Sequence, residues 1–182
     1  MSAEAWDPAE AARALERKTA DDLGRLKLPA PHECFRQIRI YLQRLTDTGR
    51  TTNGARLLSQ RTLDNGDSQI NAGPTTVKQH LPCGDCIQFR SGAQLSFGIT
   101  LRSNGKASSL LAYRFYLKLP SGSGLGFVRI DLNGLSTDYN PLRMPRSHFH
   151  PGFEHIHLPF PVIEPLAVLD RIVHVIEPHF SH

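Results

Sequence analysis

Four histidines lie within ten residues of one another towards the C-terminal end of the chain. They form two His-x-His pairs, His148–His150 and His155–His157, on either side of a Pro-Gly dipeptide. Alternate residues of a strand point to the same side of a sheet, so each pair places two imidazoles on one face. If residues 151–154 form a four-residue hairpin loop, His150 opposes His155, His148 opposes His157, and all four imidazoles share that face.

Two kinds of chemistry suit such a cluster. Imidazoles act as general base and general acid, and on an RNA phosphodiester the 2′-hydroxyl is an internal nucleophile, so that no metal is needed. We expect His150 and His155, which flank the turn, to be the acid–base pair. Imidazoles are also the commonest protein ligands of divalent transition metals. A half-buried strand with solvated histidines and no function is the third interpretation.

A polar stripe precedes the histidines. Residues 127–133 alternate so that Arg129, Asp131 and Asn133 share one face of a strand. Asp131 is suited to orienting a histidine, and Arg129 together with Arg146 is suited to stabilising the charge of a phosphorane. An exposed edge strand with ordinary polar residues would have the same pattern.

Basic residues are concentrated in the middle of the chain. The net charge is +4, but residues 50–118 hold nine Lys and Arg against three Asp. A local excess of Lys and Arg is typical of proteins that bind phosphate groups. A solvated basic face without a ligand is the alternative. Tyr113 could stack on a base beside a cation. The candidate RNA-binding residues are Arg90, Arg102, Lys106, Tyr113 and Arg114.

The three cysteines are too few for a disulfide scaffold. His80, Cys83 and Cys86 offer three zinc ligands at close spacing, and His32 or Cys34 would have to complete the site. Since no second Cys-x-x-Cys follows in the sequence, inert thiols are the alternative.

The elements that must position these residues change in type along the chain. Pro8–Leu26 is predicted to be a helix, and Phe35, Ile38, Leu42 and Leu45 form the apolar stripe of a second one. Short β-rich runs separated by turn residues predict consecutive antiparallel strands, and an apolar stripe between Pro161 and Pro178 predicts a final helix. The predicted strands are residues 86–90, 94–102, 110–119 and 126–132, and the final helix covers residues 162–177.

These elements predict an α+β fold, an antiparallel meander of about four to six strands with a C-terminal helix and an N-terminal helical section. The expected divisions are a helical section over 1–48, a polar loop or arm over 49–82, and the sheet domain with its His-rich hairpin over 83–182. Helices would cover one face of the sheet and leave the other open for function. No apolar run reaches the roughly 18 residues of a membrane span, so we expect a cytoplasmic protein with no membrane partner.

Residues 107–177 resemble the TumE-like toxins of bacterial toxin–antitoxin modules. The resemblance rests on the order of four features: Tyr113-Arg-Phe-Tyr116, then residues 127–133, then the His-rich turn, then a Pro-led final helix. It implies a small α+β protein that acts on RNA in bacterial defence and is neutralised by a DNA-binding antitoxin. Its site would comprise Arg129, Asp131, His148, His150, His155 and His157. The chain departs from the family in about 80 extra N-terminal residues and a longer spacer after Asn133.

A second, shorter pattern involves a carboxylate. His148-x-His150-x-x-x-Glu154 is similar to the core of the first cupin metal motif. The glycines that bracket that motif are missing, and Pro161 stands where the second one belongs.

The sequence thus predicts an RNA-directed effector, a metal-independent endoribonuclease-like hydrolase without a cofactor. RNA would be one partner, and a cognate antitoxin or other protein would bind the N-terminal helices. The alternatives are a non-catalytic accessory or adaptor that binds a protein or nucleic acid, and a small His-ligated metalloprotein holding zinc or another divalent metal.

Overall fold

A computed structural model describes residues 7–74, 84–134 and 139–180 of the chain. It confirms the predicted fold class: helices stand at both ends of the chain, and the strands between them form one antiparallel sheet. None of the described helices is long and apolar enough to cross a membrane.

The two N-terminal helices form where the sequence predicts them. Helix α1 (Pro8–Arg25) is capped by Asp7, whose Oδ1 accepts a hydrogen bond from the Ala9 amide at 2.8 Å. A two-residue strand, β1 (Leu28–Pro29), separates it from α2 (Pro31–Asp47). Ile38, Leu42 and Leu45 of the predicted apolar stripe are buried, and Phe35 is partly buried, because residues three and four apart lie on one side of a helix.

The described residues form nine strands, more than the four to six expected. After β1, they are β2 (Leu58–Thr62), β3 (Ser68–Ala72), β4 (Ile87–Gln88), β5 (Gln94–Asn104), β6 (Ala107–Lys118), β7 (Phe127–Leu132), β8 (Ser147–Pro151) and β9 (Leu158–Pro159). Their order across the sheet is β2-β3-β5-β6-β7-β8-β9, with β1 paired to β6 and β4 paired to β5.

The prediction of a loop or arm over residues 49–82 is wrong for its first half. Gly54–Leu57 is a 3₁₀ turn, and β2 and β3 form a hairpin that pairs with β5 inside the sheet. Ile70 and Ala72 of this hairpin are buried in the core and Leu58 packs against it, so its alternation of apolar and polar residues is too short to be recognised. The sheet therefore begins well before residue 83.

One hydrophobic core joins the helices to one face of the sheet. Ile38 and Leu42 of α2 pack there with sheet residues such as Ile99, Phe115 and Ile130. The N-terminal helices are therefore not a separate section of the molecule. The final helix packs on the same core; it is built from α3 (Pro165–Arg171), a π-helical segment (Ile172–Ile176) and a last turn, α4 (Glu177–His179).

Candidate functional site on the open face of the sheet

Two rows of polar side chains cross the face of the sheet that is turned away from the core. Residues paired across antiparallel strands lie on the same side, so the register defines each row. One row runs Asn71–Gly98–Arg114–Asp131–His148 across five strands. The second runs Ser96–Tyr116–Arg129–His150. This face, opposite the helices and called the open face below, carries the residues with chemistry, and of the two rows only Arg114 is exposed.

Asp131 is the centre of this arrangement. Its side chain is 2% exposed, and its Oδ2 accepts a hydrogen bond from Arg129 Nε at 2.6 Å while its Oδ1 accepts one from Arg114 Nε at 3.3 Å. The Nε2 atoms of His148 and His150 lie 3.5 and 3.4 Å from Oδ2. Burial raises the pKa of Asp131, but the two histidines and the two arginines outweigh it and hold the pKa well below its usual value.

Three histidines gather beside this carboxylate: His148, His150 and His157. Their ring centroids are 4.5–5.0 Å apart, and one nitrogen of each lies within 4.8 Å of the others. His148 and His150 are fully buried, whereas His157 is half-buried. Burial, and next the charges of His150 and His148, lower the pKa of His157. We call Asp131, Arg129 and these three residues the histidine cluster.

The fourth predicted histidine, His155, is not in the cluster. The hairpin register predicted from a loop over 151–154 is wrong, because β8 extends to Pro151 and His148 pairs with Pro159. The turn therefore occupies residues 152–157, and exposed His155 lies within it, against Phe153. The difference from the expected register is two residues, and an even shift keeps His157 on the same face as His148 and His150. His150 and His155 are not the paired residues that we expected.

Backbone contacts define the orientation of the two buried imidazoles. Nδ1 of His148 lies 2.7 Å from the carbonyl oxygen of Pro145, and Nδ1 of His150 lies 3.3 Å from that of Phe153. Since a carbonyl only accepts, each Nδ1 carries a proton, and each Nε2 points into the cluster as the second titrating nitrogen of its ring. Among the described residues, Nε2 of His148 has no hydrogen-bond partner.

Arg129 connects the cluster to its rim. Its guanidinium donates to Asp131 through Nε, to the Nε2 of His150 at 2.6 Å, and to the carboxylate of Glu154. Glu154 was not among the expected site residues. In the sequence, only the cupin-like spacing from His148 points to Glu154. In the structure Glu154 contacts Arg129 and does not belong to the group of three histidines.

A groove of about 370 Å³ lies along this face. Its lining includes Arg114, Tyr116, Arg129 and Asp131, and no residue of a helix contributes to it. Gly98 lies at the bottom of the groove, where a side chain would not fit, because a Cβ there would lie 2.9 Å from Asn71 Oδ1. The ring of Tyr116 stacks on Phe127, and burial raises the pKa of Tyr116 to about 12. Its hydroxyl has no hydrogen-bond partner among the described residues.

Arg146, expected to stabilise a phosphorane, lies outside the cluster. Its Nε donates to the carbonyl oxygen of Asn133 at 2.9 Å, at the end of the β7–β8 pair. This contact links the end of β7 to the start of β8.

The five candidate RNA-binding residues do not form one surface. Arg114 lies in the groove, but the Tyr113 ring packs edge-on against Phe115 in the core and cannot stack on a base. Arg102 pairs with Asp67, and Lys106 is at the β5–β6 turn, roughly 25 Å along the strand from Arg114. Arg90 lies in a turn after β4, over Gly49.

The expected zinc site is only partly within the described residues. His80 and Cys83 lie outside them, and Cys86 is disulfide-bonded. A disulfide sulfur is not the thiolate that zinc requires. Cys34 is a free thiol whose Sγ contacts the carbonyl oxygen of Pro29, and burial raises its pKa to about 11.

Comparison of the chain with family models, with curated proteins and with solved structures gives no match. The function is therefore inferred from the residues and from their arrangement in this fold.

Proposed function

We propose that this protein is an RNA-directed effector that binds RNA along the open face of the sheet and cleaves it at the histidine cluster. One observation carries the proposal: a buried carboxylate and two guanidinium groups line a groove on the sheet face opposite the helices, and three imidazoles gather beside that carboxylate. These are the group types that phosphodiester transfer through an internal nucleophile requires.

Arg114 is suited to meeting the phosphate. Its side chain is half-exposed in the groove, and Asp131 holds it through Nε alone. The terminal nitrogens make no hydrogen bond to other described residues, so they present the planar fork that binds two phosphate oxygens. Asp131 thereby orients the Arg114 guanidinium and leaves its two terminal nitrogens available for the phosphate.

His157 replaces His155 as the partner of His150 in the acid–base pair. In the proposed reaction the 2′-oxygen attacks phosphorus and His157 takes the hydroxyl proton. The bond from phosphorus to the 5′-oxygen breaks, and that oxygen takes the Nε2 proton of His150. His150 reacts in its doubly protonated form, after Arg129 has turned from its Nε2 to the phosphate. The products are a 2′,3′-cyclic phosphate and a 5′-hydroxyl. Arg114 and Arg129 stabilise the extra negative charge on phosphorus in between.

The test is incubation of the full chain with end-labelled RNA in EDTA, beside His157→Ala and the matched control His155→Ala. We expect wild type and His155→Ala to give cyclic phosphate ends, and His157→Ala to be slower by about 100-fold or more. Arg114→Ala should weaken RNA binding in a filter assay. Equal cleavage by His157→Ala and His155→Ala would overturn the proposed site.

The same experiment separates the effector from an adaptor. RNA that is bound but never cleaved by the wild-type chain would contradict the proposed chemistry and favour the adaptor function. Cleavage that persists when the RNA carries 2′-deoxyribose throughout would exclude the internal nucleophile and with it the proposed mechanism.

A further inference from the structure

We infer that His148, His150 and His157, together with Asp131, form a binding site for a divalent transition metal of the zinc class. The first observation is the convergence of one nitrogen from each histidine within 4.8 Å of the others. This inference concerns metal binding, which is measured without RNA; only its consequence for cleavage rests on the proposed function.

A second, independent observation is the unpartnered nitrogen of His148. The side chain is 1% exposed, and its Nε2 has no hydrogen-bond partner among the described residues. Because Nδ1 donates to Pro145, the neutral imidazole presents the Nε2 lone pair to the interior of the cluster. A buried acceptor without a partner is unfavourable, and a metal ion would satisfy it.

The backbone contacts are those that metal-ligating histidines use. Such a histidine donates its other ring N–H to a carbonyl or carboxylate, which fixes the tautomer and the ring plane. His148 does so to Pro145 and His150 does so to Phe153. Both rings are thus oriented as ligands by groups outside the cluster.

The distances also fit shared coordination. Two ligands bound tetrahedrally to zinc at 2.0–2.1 Å stand about 3.4 Å apart. Asp131 Oδ2 lies 3.5 Å from His148 Nε2 and 3.4 Å from His150 Nε2, so the carboxylate stands at a coordination distance from each of these two ligands. His157 precedes β9 at the end of a turn and is half-buried, so it can close the site from the solvent side.

Arg129 competes for this site. Its guanidinium donates to His150 Nε2 at 2.6 Å, which is the lone pair that the metal would use. Glu154 and Asp131 also hold Arg129, so the guanidinium can release His150 and keep two ionic partners. Arg129 acts as a positioning residue that opposes metal binding through its charge.

The ligand set selects the class of metal. Three imidazole nitrogens with one carboxylate suit zinc, cobalt, nickel, copper or iron, whereas magnesium and calcium require oxygen ligands. With the metal in place, the imidazole lone pairs no longer accept protons. Metal binding should therefore inhibit the cleavage proposed above.

The test uses the untagged full chain, treated with EDTA and dialysed, with cobalt(II) chloride as the probe. We expect one cobalt per chain, with the visible absorption of a tetrahedral site, and displacement by zinc. His157→Ala should bind cobalt about 100-fold more weakly, His155→Ala should bind as wild type, and Arg129→Gln should bind about tenfold more tightly. Zinc should raise the melting temperature of wild type but not of His157→Ala.

Two results would overturn the inference: no cobalt bound at stoichiometric concentration, or equal affinity of His157→Ala and His155→Ala. His157 is the primary variant because it is half-buried, whereas replacement of His148 tests folding as well as binding. Cobalt binding in a protein that never cleaves RNA would support the metal site and count against the proposed function alone. Stimulation of cleavage by zinc would leave the site intact and overturn the metal-free reaction.

Discussion

Asp131 is the residue on which the other charges of the histidine cluster depend. It is the common partner of Arg114 and Arg129, and its Oδ2 lies 3.5 Å from Nε2 of His148. Removing one buried charge from such a set leaves the opposite charges buried without a partner. This lowers stability more than replacing the whole set by apolar residues would.

Asp131→Asn should lower the free energy of unfolding by about 3 kcal/mol, because the largely buried Arg129 guanidinium keeps only the exposed Glu154 as an ionic partner. Urea denaturation at pH 7 measures the change. Asp170→Asn, in an exposed side chain, is the control and should stay within about 0.5 kcal/mol of wild type. Equal stability of the two variants would show that Asp131 is not the anchor of the cluster.

At the residue scale, the sequence predicts well which side chains share a strand face. Arg129, Asp131, His148 and His150 follow directly from alternation within β7 and β8. The partnership of Arg114 with Asp131 does not, because it depends on β6 lying beside β7 in one particular register. Long-range register is set by packing of the whole sheet, which local patterns do not encode.

At the scale of elements, the turn between β8 and β9 decides which histidine joins the cluster. Gly152 opens this turn with a φ of 82°, a left-handed conformation that a side chain disfavours, and a Cβ there would meet Leu125 Cδ2 at 2.9 Å. A hairpin loop of four residues was the simpler expectation, and sequence alone does not distinguish it from this longer turn.

Gly152→Ala should destabilise the protein by about 1–2 kcal/mol and weaken cobalt binding, because the strained turn moves His157. Gly126→Ala is the matched control, since Gly126 lies on the adjoining connection, where a Cβ would meet nothing within 4 Å. Thermal melting and the cobalt titration give the two readouts. A Gly152→Ala variant that behaves as Gly126→Ala would contradict the importance of the turn.

The β2–β3 hairpin is held at its turn by an ion pair. Arg102 of β5 donates to both carboxylate oxygens of Asp67, at 2.9 and 3.1 Å, and holds the pKa of Asp67 below its usual value. Because folding lowers the pKa of Asp67, the ion pair contributes fully to stability above about pH 4, the pKa of an Asp in the unfolded chain. The contribution is lost as the pH falls through the pKa of Asp67 in the folded protein.

Asp67→Asn should therefore be less stable than wild type at pH 7, and the difference should shrink as the pH falls below about 4. Urea midpoints at pH 7 and pH 3 measure it. The control is Asp64→Asn in the same turn, whose exposed carboxylate has no ion pair among the described residues. A difference between Asp67→Asn and wild type that does not depend on pH would exclude the ion pair as its source.

At the scale of the whole molecule, the core is one body with helices on a single side. The sequence predicts both helical ends from their apolar stripes, but not that α2 shares a core with a sheet whose strands span most of the chain. The helical and β-rich regions differ in composition, so the sequence suggests separate units. They share one core because each has an apolar face that the other covers.

Leu42→Ala tests whether the helices and the sheet unfold together. Leu42 is fully buried in α2, so its truncation should cost about 2–5 kcal/mol, whereas Ile40→Ala, at a 40% exposed position of the same helix, should cost little. Far-ultraviolet and near-ultraviolet circular dichroism should report one coincident transition in each variant. Two separate transitions in Leu42→Ala would mean that the helices and the sheet unfold independently.

The two-residue difference between the expected and the observed hairpin register bears on how the β8–β9 connection can be re-engineered. If β9 stays in the sheet and its register follows the length of the turn, inserting or deleting two residues before His157 returns its imidazole to the polar side. A single insertion would turn that imidazole towards the helix-covered side and bring Ile156 or Leu158 into the groove. Loop libraries built at this turn should therefore yield metal-binding variants in alternate lengths.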